Sequence, residues 1–103
     1  MTIEINTAYG KVSEKLVRDI RNQILQLSHI NKKISRVEVL LKEDETIIPA
    51  ENKVCVIKLT VYGDDLLVHT RTQNFESSAT EAIKELKKMV KKQVKKQKNL
   101  QTV

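Results

Sequence analysis

Residues 53–62 read KVCVIKLTVY, a run in which Cys55, Ile57, Leu59 and Val61 share one side of an extended chain. Valine, isoleucine and threonine are branched at Cβ, stiff at χ1 and suited to a pleated surface. A strand with one apolar side must be covered by a second layer. The sequence offers two covers. From Ser13, a plausible N-cap, to about Leu27 or Ser28, Leu16, Ile20, Ile24 and Leu27 recur at spacings of four, four and three. That spacing places them in one helical stripe with Val17 at its margin and Arg18 and Arg21 pointing away. From Ser78 to Lys98, Ala79, Ala82, Ile83, Leu86, Val90 and Val94 form a second stripe. Ser78 is expected to cap that helix, with Glu81 as its capping-box partner.

Three further segments alternate as strands. TIEIN puts Ile3 and Ile5 on one side. SRVEVLLKE points Val37, Val39 and Leu41 inward and Arg36, Glu38 and Lys42 outward. LLVHTRTQ points Leu66, Val68, Thr70 and Thr72 inward. A polar connection containing Pro49 precedes residue 53, and Gly63, Asp64 and Asp65 are read as a turn. The order is β-α-β-β-β-α. A helix crossing between the first two strands makes them parallel, with a right-handed connection, and the remaining strands form a meander. The expectation is an α+β two-layer sandwich, a four-stranded sheet with both helices on one face.

At 103 residues the chain suits one domain, residues 1–98, followed by a short tail at 99–103. No apolar run approaches a membrane span, and the first residues carry no signal pattern. The single cysteine, Cys55, has no partner within the chain, which fits a reducing cytoplasm.

The net charge of +6 is unevenly placed. Residues 78–103 hold eight lysines (Lys84, Lys87, Lys88, Lys91, Lys92, Lys95, Lys96 and Lys98) against Glu81 and Glu85. Residues 1–77 are neutral, with eleven cationic and eleven anionic side chains. A helix face that is merely wet usually mixes signs and pairs Glu with Lys at four-residue spacing; here no acid follows Glu85. Like charges four apart destabilise a helix, so their accumulation points to a polyanionic partner. Membrane anchoring is disfavoured, because the apolar stripe suits a core and lacks the large interfacial residues of a surface helix. Single-stranded nucleic acid calls for aromatic platforms, and the chain has three aromatic residues, Tyr9, Tyr62 and Phe75. Structured RNA, held through its phosphates, fits best.

SATEAIKELKKMVKKQVKKQK, residues 78–98, resembles the last helix of the ribosome hibernation-promoting factor and ribosome-associated inhibitor family, formerly described as sigma-factor modulators. Ala82, Ile83, Val90, Lys92, Gln93, Val94, Lys95, Lys96 and Lys98 are identical or conservative against that helix. MTIEIN resembles the family's first strand, and the element order agrees over nearly the whole chain. Ser78, Thr80 and Gln97 stand where the family usually has Asp, Tyr and Tyr. The resemblance implies a short-form factor that binds the small ribosomal subunit in the channel for messenger and transfer RNA, and idles the ribosome under stress. Lys92, Lys95, Lys96 and Lys98 match the family's basic positions and would contact rRNA. The helical wheel adds Lys84, Lys87, Lys88 and Lys91, and Arg18 and Arg21, with Lys32 and Lys33, would extend the patch. The alternatives are a module docking its basic helix on an acidic protein, and a general binder of duplex RNA.

No enzymatic chemistry is expected, and no cofactor, metal or small-molecule substrate. YGDD, residues 62–65, reads as a hairpin turn rather than a magnesium-binding polymerase turn. His29, His69 and Cys55 fit no zinc spacing, Ser13 and Ser78 are read as caps rather than nucleophiles, and no Gly-rich phosphate loop exists. Oligomeric state is open, with the long third strand and Leu25 as candidate contacts.

Overall fold

The computed structural model describes residues 2–9, 12–44, 52–61 and 63–101, with side chains described throughout these spans except at 8, 9 and 93–101. Its elements are β1 (Thr2–Tyr9), α1 (Glu14–Ile30), β2 (Ile34–Glu43), β3 (Lys53–Val61), β4 (Asp64–Thr72) and α2 (Phe75–Gln101). The sheet order is β1-β2-β3-β4. β1 runs parallel to β2 (Ile3 opposite Val37), and β2, β3 and β4 are successively antiparallel (Val39 opposite Ile57, Ile57 opposite Val68).

The alternation places the core as expected. Val37, Val39 and Leu41 of β2, Cys55, Ile57, Leu59 and Val61 of β3 and Val68 of β4 are buried together with Ile20, Ile24 and Leu27 of α1 and Ala79, Ala82, Ile83, Leu86 and Val90 of α2. One cluster uniting both helices with one side of the sheet is a two-layer α+β sandwich. Each large aliphatic side chain buried there contributes about 1.5–3 kcal/mol relative to exposure. Alanines at 79 and 82 let α2 lie close to β3 and β4, the strands it contacts. The Pro49 connection and Tyr62 lie outside the described residues.

Several boundaries differ from expectation. β1 extends to Tyr9, and α1 continues to Ile30, where the backbone N–H of Asn31 donates to the Leu27 carbonyl. Ser13 caps α1 as expected, its hydroxyl accepting from the Leu16 N–H at 3.2 Å. Asp64 and Asp65 belong to β4 rather than to a turn, because Val61 pairs with Asp64 and residues 62 and 63 make the connection. Gly63 there has φ +82°, a left-handed conformation that costs a glycine little.

The start of α2 corrects the capping assignment. The helix begins at Phe75, and Ser78 lies inside its first turn, fully buried. Asn74 does the capping: its side-chain oxygen accepts from the Ser77 N–H at 2.8 Å and its carbonyl from the Ser78 N–H at 3.2 Å. Glu81 is therefore not a capping-box residue; it is exposed. The early start brings Phe75 into the core, with the Lys53 ammonium 5.7 Å from its ring centroid.

β3 cannot self-associate, since both of its edges are paired within the sheet. Leu25 is exposed at 44%, as its position opposite the α1 stripe requires.

Candidate nucleic-acid interface

A helix of 27 residues is about 40 Å long, whereas a nine-residue strand spans about 30 Å. α2 is therefore longer than the sheet it lies on; the side chains at 93–101, Val94 of the expected stripe among them, lie outside the described residues. Up to Val90 the apolar stripe is buried, while Lys84, Lys88, Lys91 and Lys92 are exposed and Lys87 is half-buried beside them. The side chains of Lys95, Lys96 and Lys98 lie outside the described residues, although α2 carries their backbone.

Three cations of the sheet, Arg36, Lys53 and Lys58, have carboxylate partners that these lysines lack among the described residues. Arg36 is clasped by Glu38 at 2.6 Å and Glu4 at 2.8 Å, and the hydrogen bond and charge of Glu38 with the charge of Glu4 raise its pKa. Lys53 pairs with Glu43 at 2.8 Å and Lys58 approaches Asp65 at 3.7 Å. Among the described residues these pairs all lie on the sheet, and Lys84, Lys87, Lys88, Lys91 and Lys92 take part in none. Glu81 and Glu85 do share the groove between α2 and β4 with Lys84 and Lys88, so the acidic amino-terminal part of α2 grades into its basic end. The helix dipole favours that order, but its influence is confined to the terminal turns. It does not account for a ridge that begins at Lys84.

The two helices start side by side. Ser13, Lys15, Leu16 and Asp19 line a groove with Glu76 and Thr80. At 1.5 Å per residue, α1 then ends about level with the turn of α2 that holds Lys91. Lys32 and Lys33, exposed just after α1, belong to that same end of the molecule. Arg18 and Arg21 are also exposed, but on the outer side of α1, and neither lines the groove between the helices. The α2 lysines thus share one helix face, whereas Arg18, Arg21, Lys32 and Lys33 are exposed on or just after α1 and none of the four lines the groove between the helices. Lys15, on the flank of α1 toward α2, escaped the sequence reading. Its place in the helical period after Ser13 was the available signal.

The residues weighed for chemistry are dispersed. Cys55 is buried and desolvation raises its pKa to about 12, so it is a neutral thiol. His69 is exposed on β4 and His29 on the last turn of α1. No group of three metal-binding side chains exists among the described residues. No helix among them is long and apolar enough to cross a membrane.

No protein-family model matches the sequence, and no curated protein does. Solved structures do match the fold. A ribosomal subunit interface protein from Coxiella burnetii superimposes with a TM-score of 0.74 at 12% identity, over 89% of this chain and 96% of that one. The N-terminal domain of Thermus thermophilus Protein Y superimposes with a TM-score of 0.72 at 13% identity, over 89% of this chain and 98% of that one. The chain therefore has the fold of a ribosomal subunit interface protein and of Protein Y, which is the fold that the sequence resemblance to the hibernation-promoting factor family implies.

Proposed function

We propose that this protein is a ribosome-associated hibernation factor that silences translation by occupying the messenger and transfer RNA channel of the small subunit. One observation carries the reading: a fold shared with a ribosomal subunit interface protein presents, along α2, five described lysines without a carboxylate partner. The mechanism is steric. Lysine ammonium groups meet rRNA phosphates as point charges, without base-reading geometry. The sandwich behind them is a rigid body that fills space where substrates would otherwise bind. No bond is made or broken, so no catalytic group, metal or cofactor is required. A ribosomal partner implies residence in the cytoplasm, and a role in stress follows from the use of an inactive ribosome.

The test is sedimentation with purified subunits through sucrose gradients. The protein should travel with the small subunit and not with the large one, and should inhibit translation on a synthetic message. Raising the salt from 50 to 200 mM should weaken binding by roughly two to three orders of magnitude if five phosphate contacts are made. Retention by an acidic protein after nuclease treatment, with no subunit binding, would instead favour a protein partner.

A further inference from the structure

The sheet has two edges, and they are treated differently. β1 carries a register shift between Asn6 and Tyr9, an irregularity of the kind that blunts an edge. β4 pairs with β3 over its whole length without a shift. It contains no lysine and no proline, and at its middle stands Leu67, 62% exposed. A long regular edge with an exposed apolar centre is a template for another strand. We propose that β4 is a self-association surface, on which a second copy of this chain adds its own β4 antiparallel to form a continuous eight-stranded sheet.

Three features of the edge suit a second copy. The two-residue connection makes Val61 and Asp64 a hydrogen-bonded pair. Alternation then turns the N–H and C=O groups of Asp65, Leu67, His69 and Arg71 outward. A two-fold axis at Val68 sets these outward residues opposite one another, Asp65 against Arg71 of the second copy and Leu67 against His69. Each such pair exchanges two backbone hydrogen bonds. The same axis therefore satisfies the edge and sets Arg71 opposite Asp65, a carboxylate that in the single chain lies 3.7 Å from Lys58 and accepts from the Thr60 hydroxyl. Arg71 is exposed and has no ion pair among the described residues of the single chain.

The helix layer is matched as well. The groove of about 570 Å³ between α2 and β4 sets residues 67–70 alongside 81–89. Val68 shares that groove with Glu81, Lys84, Glu85 and Lys88, so an axis near it brings two antiparallel copies of α2 together over a stretch that carries both signs of charge. α2 lies over both β3 and β4. With strands roughly 4.8 Å apart, the two α2 axes fall roughly 10 Å from each other, the spacing of packed helices. If Lys84 and Lys88 hold rRNA, the paired form is excluded from the ribosome. The pairing itself does not depend on that reading.

The test needs no ribosomes. Light scattering of the isolated protein should show twice the 11.8 kDa of one chain as concentration rises. Amide exchange at Leu67 and His69, which point outward, should slow with concentration, while Leu66 and Val68 stay protected throughout. Arg71→Asp, which sets Asp against Asp65 of the second copy at both ends, should weaken association at least roughly tenfold. Adding Asp65→Arg should restore it. A single-chain mass at roughly 1 mM protein would overturn the proposal. So would a dimer indifferent to Arg71→Asp and without new protection at Leu67, since such a dimer uses another surface.

Discussion

The Ser78 hydroxyl donates to the Lys53 carbonyl at 2.6 Å, tying the first turn of α2 to the first residue of β3, 25 positions earlier. The same hydroxyl shares a 2.8 Å hydrogen bond with Thr72, and the Ser78 carbonyl accepts from the Thr70 hydroxyl at 2.6 Å. Where the spacing of Ser78 and Glu81 suggested a cap, the structure has a three-way junction between a helix and two strands. Ser78→Ala should therefore cost about 1–3 kcal/mol, because it takes the side-chain donor from the part-buried Lys53 carbonyl, while the Thr72 hydroxyl keeps Asn74 as its partner. Urea unfolding with an unchanged slope would measure it.

Capping of α2 is assigned to Asn74. Asn74→Ala should cost about 0.5–2 kcal/mol, comparable with Ser13→Ala at the start of α1. Glu81→Ala, which would remove a capping box if Ser78 were the cap, should change stability by less than about 0.5 kcal/mol. Thermal melts of the three variants decide between the two assignments.

Cys55 gives a pH dependence with a definite sign. Burial raises its pKa from 9.0 to about 12. Below pH 9 the thiol is protonated in folded and unfolded chains alike and contributes nothing to the slope. Between 9 and 12 the unfolded chain loses the proton and the folded chain keeps it, so stability falls as pH rises, by up to about 1.4 kcal/mol per pH unit. Cys55→Ala should remove that component of the slope. The native thiol should also resist aromatic disulfide reagents at pH 8 and react on addition of denaturant.

The strands were legible because each has one buried side. In β3 the alternation of Cys55, Ile57, Leu59 and Val61 with Lys58 and Thr60 leaves a single sensible orientation. The helical stripes were legible for the same reason, and parallel β1 and β2 followed from the crossover. The start of α2 was not. Ser78 looks like a cap in one dimension, and its real partners, Lys53, Thr70 and Thr72, are near only after the sheet forms. The two-residue hairpin was also missed, because Asp64 and Asp65 are turn residues by composition and strand residues by pairing. In the candidate site, the exposed face of α2 could be read from its period. The separation of Arg18 and Arg21 from it depends on how α1 is rotated about its own axis, which its apolar stripe fixes only against the sheet.

The central claim is that the uncompensated ridge of α2 holds the protein on the small ribosomal subunit. Lys88, Lys91 and Lys92 are exposed and without ion pairs among the described residues, so their joint replacement by Glu should leave the fold and melting temperature nearly unchanged. Binding of that triple variant to purified small subunits, followed by sedimentation against the wild type at one fixed salt concentration, is the most direct measurement. The account predicts a loss of at least roughly a hundredfold in affinity, with relief of translational inhibition. A folded variant that still sediments with the subunit at wild-type affinity would contradict it.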